Sequence, residues 1–153
     1  MIKAFHHVKF TVSDLDRSVR FYRDVLGLEL VRISERANLP SYDQLLGHKD
    51  VSLRVAMLRH PVNKFVLALI HYVHPATQPR SQEHYFVGAS QMAFEVEDLD
   101  AQYALLQQCG YGAISPPVDI VRDGRCVARA MYALDPDGIS IDLFQEFEDV
   151  VAR

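Results

Sequence analysis

Over residues 4–12 apolar and polar positions alternate. Val8, Phe10 and Val12 fall on one face and His7, Lys9 and Thr11 on the other, the period-two pattern of a half-buried strand. The rhythm changes at Asp14-Leu15-Asp16, where acidic capping residues precede Leu15, Val19, Tyr22 and Leu26 at helical spacing, and Gly27 occupies a C-terminal cap position. Strands are predicted over 28–34, 51–58 and 65–72, with a loop at 35–49 containing Pro40 and Gly47, and a turn at His60-Pro61-Val62-Asn63. The element order is β-α-β-β-β.

The same order then returns. His7-Val8-Lys9-Phe10-Thr11-Val12-Ser13-Asp14-Leu15-Asp16 reappears as Gln91-Met92-Ala93-Phe94-Glu95-Val96-Glu97-Asp98-Leu99-Asp100, at a constant offset of 84 (91 − 7). The second copy predicts a strand at 91–96, a helix at 99–108 closed by Gly110, and a short strand at 111–115. After the Pro116-Pro117 break, 118–122 reads as a strand or extended loop. Strands at 125–134 and 139–144 are joined by the tight-turn sequence Asp135-Pro136-Asp137-Gly138. Repetition at this spacing implies two copies of one unit, so equivalent positions can be compared. The predicted organisation is one α+β domain over 1–153, made of modules 4–73 and 90–146 with a linker over about 74–89. The polar tail 145–153 reads as a short helical continuation. One helix covers one face of a four-stranded sheet, so the opposite face of each module must meet another unit or enclose something.

Composition narrows the function classes. A chain of 153 residues with 49% hydrophobic residues and net charge −4 has ample core material and no basic run with which to grip nucleic acid. No segment approaches 18 continuous apolar residues, and the N-terminal stretch lacks the apolar run of a signal peptide, so neither a membrane nor a nucleic acid is expected as partner. Cys109 and Cys126 do not make a disulfide framework, and a reducing cytoplasm is the expected compartment.

The doubled unit, the opening HHVKFTVSDLDRSVRFYRDVLGLEL and the closing DPDGISIDLF resemble the vicinal oxygen chelate superfamily. That group includes glyoxalase I, methylmalonyl-CoA epimerase, fosfomycin and bleomycin resistance proteins and extradiol dioxygenases. The resemblance implies two modules forming a curved, cup-like mixed sheet with helices outside. It also implies a small-molecule ligand in the cup, a homodimer, and a divalent metal held on the inner face by the first and fourth strands of each module. Carried over position by position, those places are His7, Ala68, Gln91 and Asp142. Members that bind metal commonly have His at the second first-strand position and Glu on the fourth strands; Gln91, Ala68 and Asp142 depart from that pattern. His7, Gln91 and Asp142 remain as candidate metal ligands. One imidazole, one amide and one carboxylate suit a borderline or hard divalent ion: Zn, Ni, Mn, Fe or Mg, or no metal at all. For His7 the alternative is a histidine at the edge of the core, bonded to backbone.

Period two places Asp142 on the inner face with Ser140 and Phe144, because Ile141 and Leu143 face the helix; an acid there is costly unless paired or bound to a cation. Pairing the third strands at the offset of the fourth, 74 (142 − 68), matches Ala56 with Ala130 and Leu58 with Tyr132. Arg54, Leu58, Tyr132 and Phe144 are thereby predicted to contact substrate, with Asp142 and Tyr132 as candidate catalytic groups. Tyr132 could equally fill the cup with its hydroxyl at the rim, and Arg54 could pair with Glu95 instead of a substrate anion. His6 is expected on the helix side, and His84-Tyr85-Phe86 as a rim element. Segment 34–49, with Arg36, Tyr42, Gln44 and His48, is either a lid contacting ligand, or a crossing loop or dimer contact. Two functions stay open: a metal-dependent lyase or isomerase of the glyoxalase type, or a metal-free binding module of resistance or sensor type. Ring-cleaving dioxygenase chemistry is disfavoured, since Fe(II) sites of that kind ask for two histidines and a carboxylate.

Overall fold

In the computed structural model, which describes residues 1–79 and 83–147, the repeat folds as two units, Met1–Arg80 and Ser81–Arg153. The first contains β1 (Val8–Thr11), α1 (Leu15–Arg20) running on into a π-helical segment (Phe21–Val25), β2 (Glu29–Arg36), α2 (Pro40–Leu46), β3 (Ser52–Arg59) and β4 (Val66–His74). The second contains β5 (Met92–Glu95), α3 (Leu99–Gln108), β6 (Val118–Arg122), β7 (Arg125–Leu134) and β8 (Ser140–Glu146). Each unit carries a four-stranded mixed sheet, ordered β1-β4-β3-β2 and β5-β8-β7-β6. The first and fourth strands of each unit run parallel and the remaining neighbours antiparallel.

The repeated Asp-Leu-Asp elements cap their helices alike. Asp14 Oδ1 accepts from the Arg17 amide at 2.9 Å, and Asp98 Oδ1 from the Ala101 amide at 3.0 Å, each satisfying a donor that a helix start leaves without a partner. The helices then bury their apolar stripes. In the first unit Val12, Leu15, Phe21, Tyr22, Leu58, Leu67 and Leu69 are fully buried; in the second Leu99, Leu106, Ile141 and Leu143 are. Each such side chain contributes about 1.5–3 kcal/mol, so helix-on-sheet packing dominates both units.

Three elements differ from the expected pattern. Pro40 and Gly47, expected in a loop, mark the start and end of α2: proline suits the first helical turn, and Gly47 closes it at φ 69°. Residues 111–115 form only a single bridge, Ala113 to Ala133, and β6 occupies the second-strand place. β8 continues as strand to Glu146 where the tail was expected to turn helical; residues 148–153 of that tail lie outside the described residues. Among the described residues no helix is long and apolar enough to cross a membrane. Cys109 and Cys126 are free and exposed.

The two hairpins set the site. His60 N bonds Phe65 O across a loop of four residues, whereas Asp135 N bonds Ile139 O across a loop of three. Asp135, buried, tightens its shorter loop by accepting from the Asp137 and Ile139 amides, both at 2.8 Å. This one-residue difference shifts the third strands relative to the fourth, so Met57 pairs Ala68 while Tyr132 pairs Asp142. The third strands therefore correspond at an offset of 75 (132 − 57), not 74.

Candidate functional site

A one-residue slip moves a side chain to the other side of a sheet, and it decides which predicted residues share a face. In the second unit Ala93 pairs Asp142 and Tyr132 pairs Asp142 from the other side, so these three share the face opposite α3. Glu95, Phe144 and Ala130 lie on that face by the same register, and Gln91 immediately precedes β5, exposed. Ile141 and Leu143, buried, point to α3. Asp142 Oδ1 is buried and has no hydrogen-bond partner among the described residues. Burial also pushes the Asp142 carboxyl above its ordinary range, because water no longer supports its charge.

His84 completes this cluster. Its Nε2 lies 2.7 Å from Ser140 Oγ, and its ring meets Tyr132 edge to face with centroids 4.6 Å apart. His84, Ser140, Leu134 and Ile114 line a cavity of about 520 Å³ in this unit. The alternation of Ser140 with Asp142 along β8 was legible in the sequence; His84 was expected as part of a rim element, but its contacts with Ser140 and Tyr132 were not foreseen.

The first unit builds a different surface. On the sheet face opposite α1 a cavity of about 380 Å³ is lined by His6, His7, Lys9, Arg32, Arg36 and Tyr42 around apolar β3 and β4 side chains. His7 is half-buried and lines this cavity together with Ala68, whose register partner is Lys9. The imidazole of His7 is held below its ordinary pKa by burial first, then by the charges of Lys9 and His6. His6, expected on the helix side, lines the cavity with its Nδ1 2.5 Å from that of His7, because strand alternation begins only at Val8. Tyr42, Leu45 and Leu46 of α2 reach into the cavity, as do Arg32 and Arg36 of β2. The two arginines were missed as a pair, although they alternate with Ser34 on one face of β2.

Arg54 and Leu58 correct the sequence reading. Leu58 is fully buried among the α1-facing residues, and Arg54 binds Asp16 of α1 with N···O contacts of 3.1 and 3.3 Å. Both stand on the face away from His7, because the shorter second hairpin invalidates the common offset used to place them. The Arg54–Asp16 clamp recurs in the second unit, where Arg129 binds Asp100 of α3 and also Asp119 of β6. Its duplication identifies Arg54 as a helix-to-sheet tie.

A family model described as the Glyoxalase/Bleomycin resistance protein/Dioxygenase superfamily matches residues 4–143. The chain is 31% identical over 145 residues to a 2-epi-5-epi-valiolone epimerase from Actinomyces sp, covering 92% of this chain and 78% of that one. It is 24% identical over 141 residues to a probable lactoylglutathione lyase from Vibrio parahaemolyticus, covering 91% and 88% respectively. Among solved structures, a glyoxalase family protein from Bacillus cereus matches with a TM-score of 0.84 and 21% identity over 97% of both chains, a likeness of fold.

Proposed function

Because this chain belongs to the Glyoxalase/Bleomycin resistance protein/Dioxygenase superfamily, we propose that it is an enzyme of lyase or isomerase type acting on a small oxygen-rich ligand. The observation that carries this reading is Asp142: a carboxylate whose Oδ1 is buried without a partner, and whose proton affinity is raised by burial. A carboxyl in that condition exchanges a proton with carbon more readily than an ordinary aspartate, because its pKa lies closer to neutral pH. Tyr132, its register partner on the same face, would donate its O–H to a substrate oxygen. Phe144, two residues along β8, offers an apolar wall to the ligand. The similarity to an epimerase and a lyase over nearly the whole chain supports the same reaction class.

A divalent metal fits this donor chemistry, since the unpartnered Oδ1 of Asp142 calls for a cation or a proton. In the second unit Asp142 and Gln91 are the residues that would hold it; His7, whose lowered pKa favours the neutral imidazole, belongs to the first unit, and among the described residues no three His, Cys, Asp or Glu side chains are gathered as a metal site. When bound, such an ion supplies Lewis-acid polarisation of a substrate oxygen.

A second reading, a metal-free binding module, is favoured by one observation: Ala68 stands where Asp142 stands in the other unit, so the first unit has no ligating side chain at that position. The test is deuterium exchange in D₂O, followed by NMR, with 2-epi-5-epi-valiolone and S-lactoylglutathione as probes, before and after chelation and Mn(II), Ni(II) or Zn(II) addition. Exchange that Asp142→Asn abolishes supports the enzyme. Tight uptake without exchange, insensitive to chelator, selects the binding module.

A further inference from the structure

Three cations of the first unit are paired with acids: Arg54 with Asp16, Arg59 with Glu29, and Arg23 with Asp24. Those around the 380 Å³ cavity are not. Lys9, Arg32 and Arg36 form no ion pair among the described residues, and no Asp or Glu lines the cavity with them. Between them the floor is apolar, from Val55, Met57 and Ile70. A concave apolar floor of this volume under three unpaired cations matches the size and chemistry of a small-ligand site. Lys9 and Arg32 are exposed at this cavity and Arg36 is half-buried, its guanidinium donating to Glu35 O; cations gathered at a concave site with no carboxylate beside them are complementary to a ligand anion.

We propose that the first unit binds an organic anion with an apolar body, its carboxylate, sulfonate or phosphate held by Lys9, Arg32 and Arg36 and its hydrocarbon laid on the sheet. This names a ligand class for the face that carries His7 and so rests partly on the function proposed above, but it does not depend on Asp142 chemistry. Arg32 and Arg36 sit two turns of alternation apart on one strand, and Lys9 enters from the opposite edge of the sheet. An anion entering between them is therefore approached from both sheet edges, and a neutral molecule of equal size gains only the apolar floor.

Fluorescence titration with 8-anilinonaphthalene-1-sulfonate and with N-phenyl-1-naphthylamine separates these contributions, because the two probes share one hydrocarbon body and differ in the sulfonate. The native full chain is expected to bind the sulfonate at least tenfold more tightly, with affinity falling as NaCl rises. Lys9→Gln/Arg32→Gln/Arg36→Gln is expected to abolish that preference while leaving the neutral probe within twofold. Arg54→Gln, on the opposite face, is expected to change neither. Far-UV circular dichroism and a cooperative melt confirm that the triple variant is folded; should it be unfolded, Arg32→Gln/Arg36→Gln serves in its place with a partial loss expected. Displacement of the sulfonate probe by phenyl phosphate but not by phenol extends the result to other anions. Equal binding of the two probes, an unchanged sulfonate affinity in the folded variant, or binding of neither probe overturns the proposal. Deuterium exchange reports on Asp142 alone, so either proposal can fail while the other stands.

Discussion

Tyr132 and Asp142 are register partners across the β7–β8 hairpin, on the face opposite α3, and burial pushes the Asp142 carboxyl above its ordinary range. A carboxylate in this state weakens the fold whenever it is charged. The native chain binds its proton more tightly than the unfolded chain, so stability falls as pH rises from the ordinary value of 3.8 through the raised native value. Asp142→Asn removes that fall. The variant is expected to melt about 2 °C above the parent at pH 8, with the gap closing by pH 4, in calorimetric scans across that range. The same substitution is expected to lower any proton-exchange rate by at least about 100-fold, the usual scale of a removed general base. A variant that is more stable and less active is the signature of a residue kept for chemistry.

The duplicated clamps give a second expectation. Arg54→Met breaks one exposed pair to α1 and is expected to cost about 0.5 kcal/mol in urea unfolding, less in 1 M NaCl. Arg129→Met breaks ties to both Asp100 and Asp119 and is expected to cost more than its counterpart. Equal losses would mean that the contact to Asp119 adds nothing.

Helix capping was legible from the start, and its energetic weight can be measured directly. Asp14→Ala and Asp98→Ala each leave an amide at a helix start without its acceptor, at a cost of about 1 kcal/mol. For Asp14 the backbone hydrogen bond from Arg17 holds the carboxyl below its ordinary pKa, so this stabilisation is present above the unfolded value of 3.8 and is lost as pH falls through the native one. The parent and Asp14→Ala are therefore expected to converge in stability as pH falls below 3.8 and through the lowered native value, with a clear gap at pH 6.

What the sequence made legible and what it hid follow from two length scales. Alternation within one strand is local and robust: Val8 and Phe10 against Lys9, or Ile141 and Leu143 against Asp142, read correctly because buried neighbours fix the face. The match between strands depends on loop length, and a loop of three residues in place of four was enough to turn Arg54 and Leu58 to the wrong side. Tyr132 was placed beside Asp142 although its proposed counterpart was wrong, since its own face depends only on the short hairpin joining it to β8. Irregular segments carried the rest. His84 reaches Ser140 and Tyr132 from outside any strand, and α2 forms within a stretch whose Pro40 and Gly47 read equally as loop punctuation.

The shorter hairpin also predicts where the second unit is fragile. Asp135 is buried, and its Oδ1 accepts from two backbone amides of this tight loop, those of Asp137 and Ile139. Asp135→Ala leaves both donors without that acceptor and is expected to destabilise by about 2 kcal/mol in urea unfolding, whereas Asp135→Asn, which keeps an acceptor oxygen, is expected to lose about half as much. Because this loop sets the register that holds Tyr132 against Asp142, Asp135→Ala is also expected to lower the exchange rate without touching substrate.

The last expectation concerns the charge field of the first unit. His7 is held neutral by burial, by Lys9 and by His6, in that order, so its native pKa lies below 6.5. A histidine shifted this way costs stability when it must be protonated: the loss sets in as pH falls through 6.5, where the unfolded chain takes up a proton the native chain refuses. Lys9→Gln removes the second cause and leaves burial in place, so the His7 pKa is expected to rise towards its ordinary value without reaching it, read from imidazole resonances in a ¹H–¹⁵N titration. If the cavity takes an anion, saturating 8-anilinonaphthalene-1-sulfonate neutralises the same field in the parent and is expected to move His7 in the same direction. In Lys9→Gln the probe is expected to move it less, since part of the charge it would offset is already gone. A downward shift on probe binding would mean that desolvation by the ligand outweighs its charge, placing the sulfonate away from Lys9.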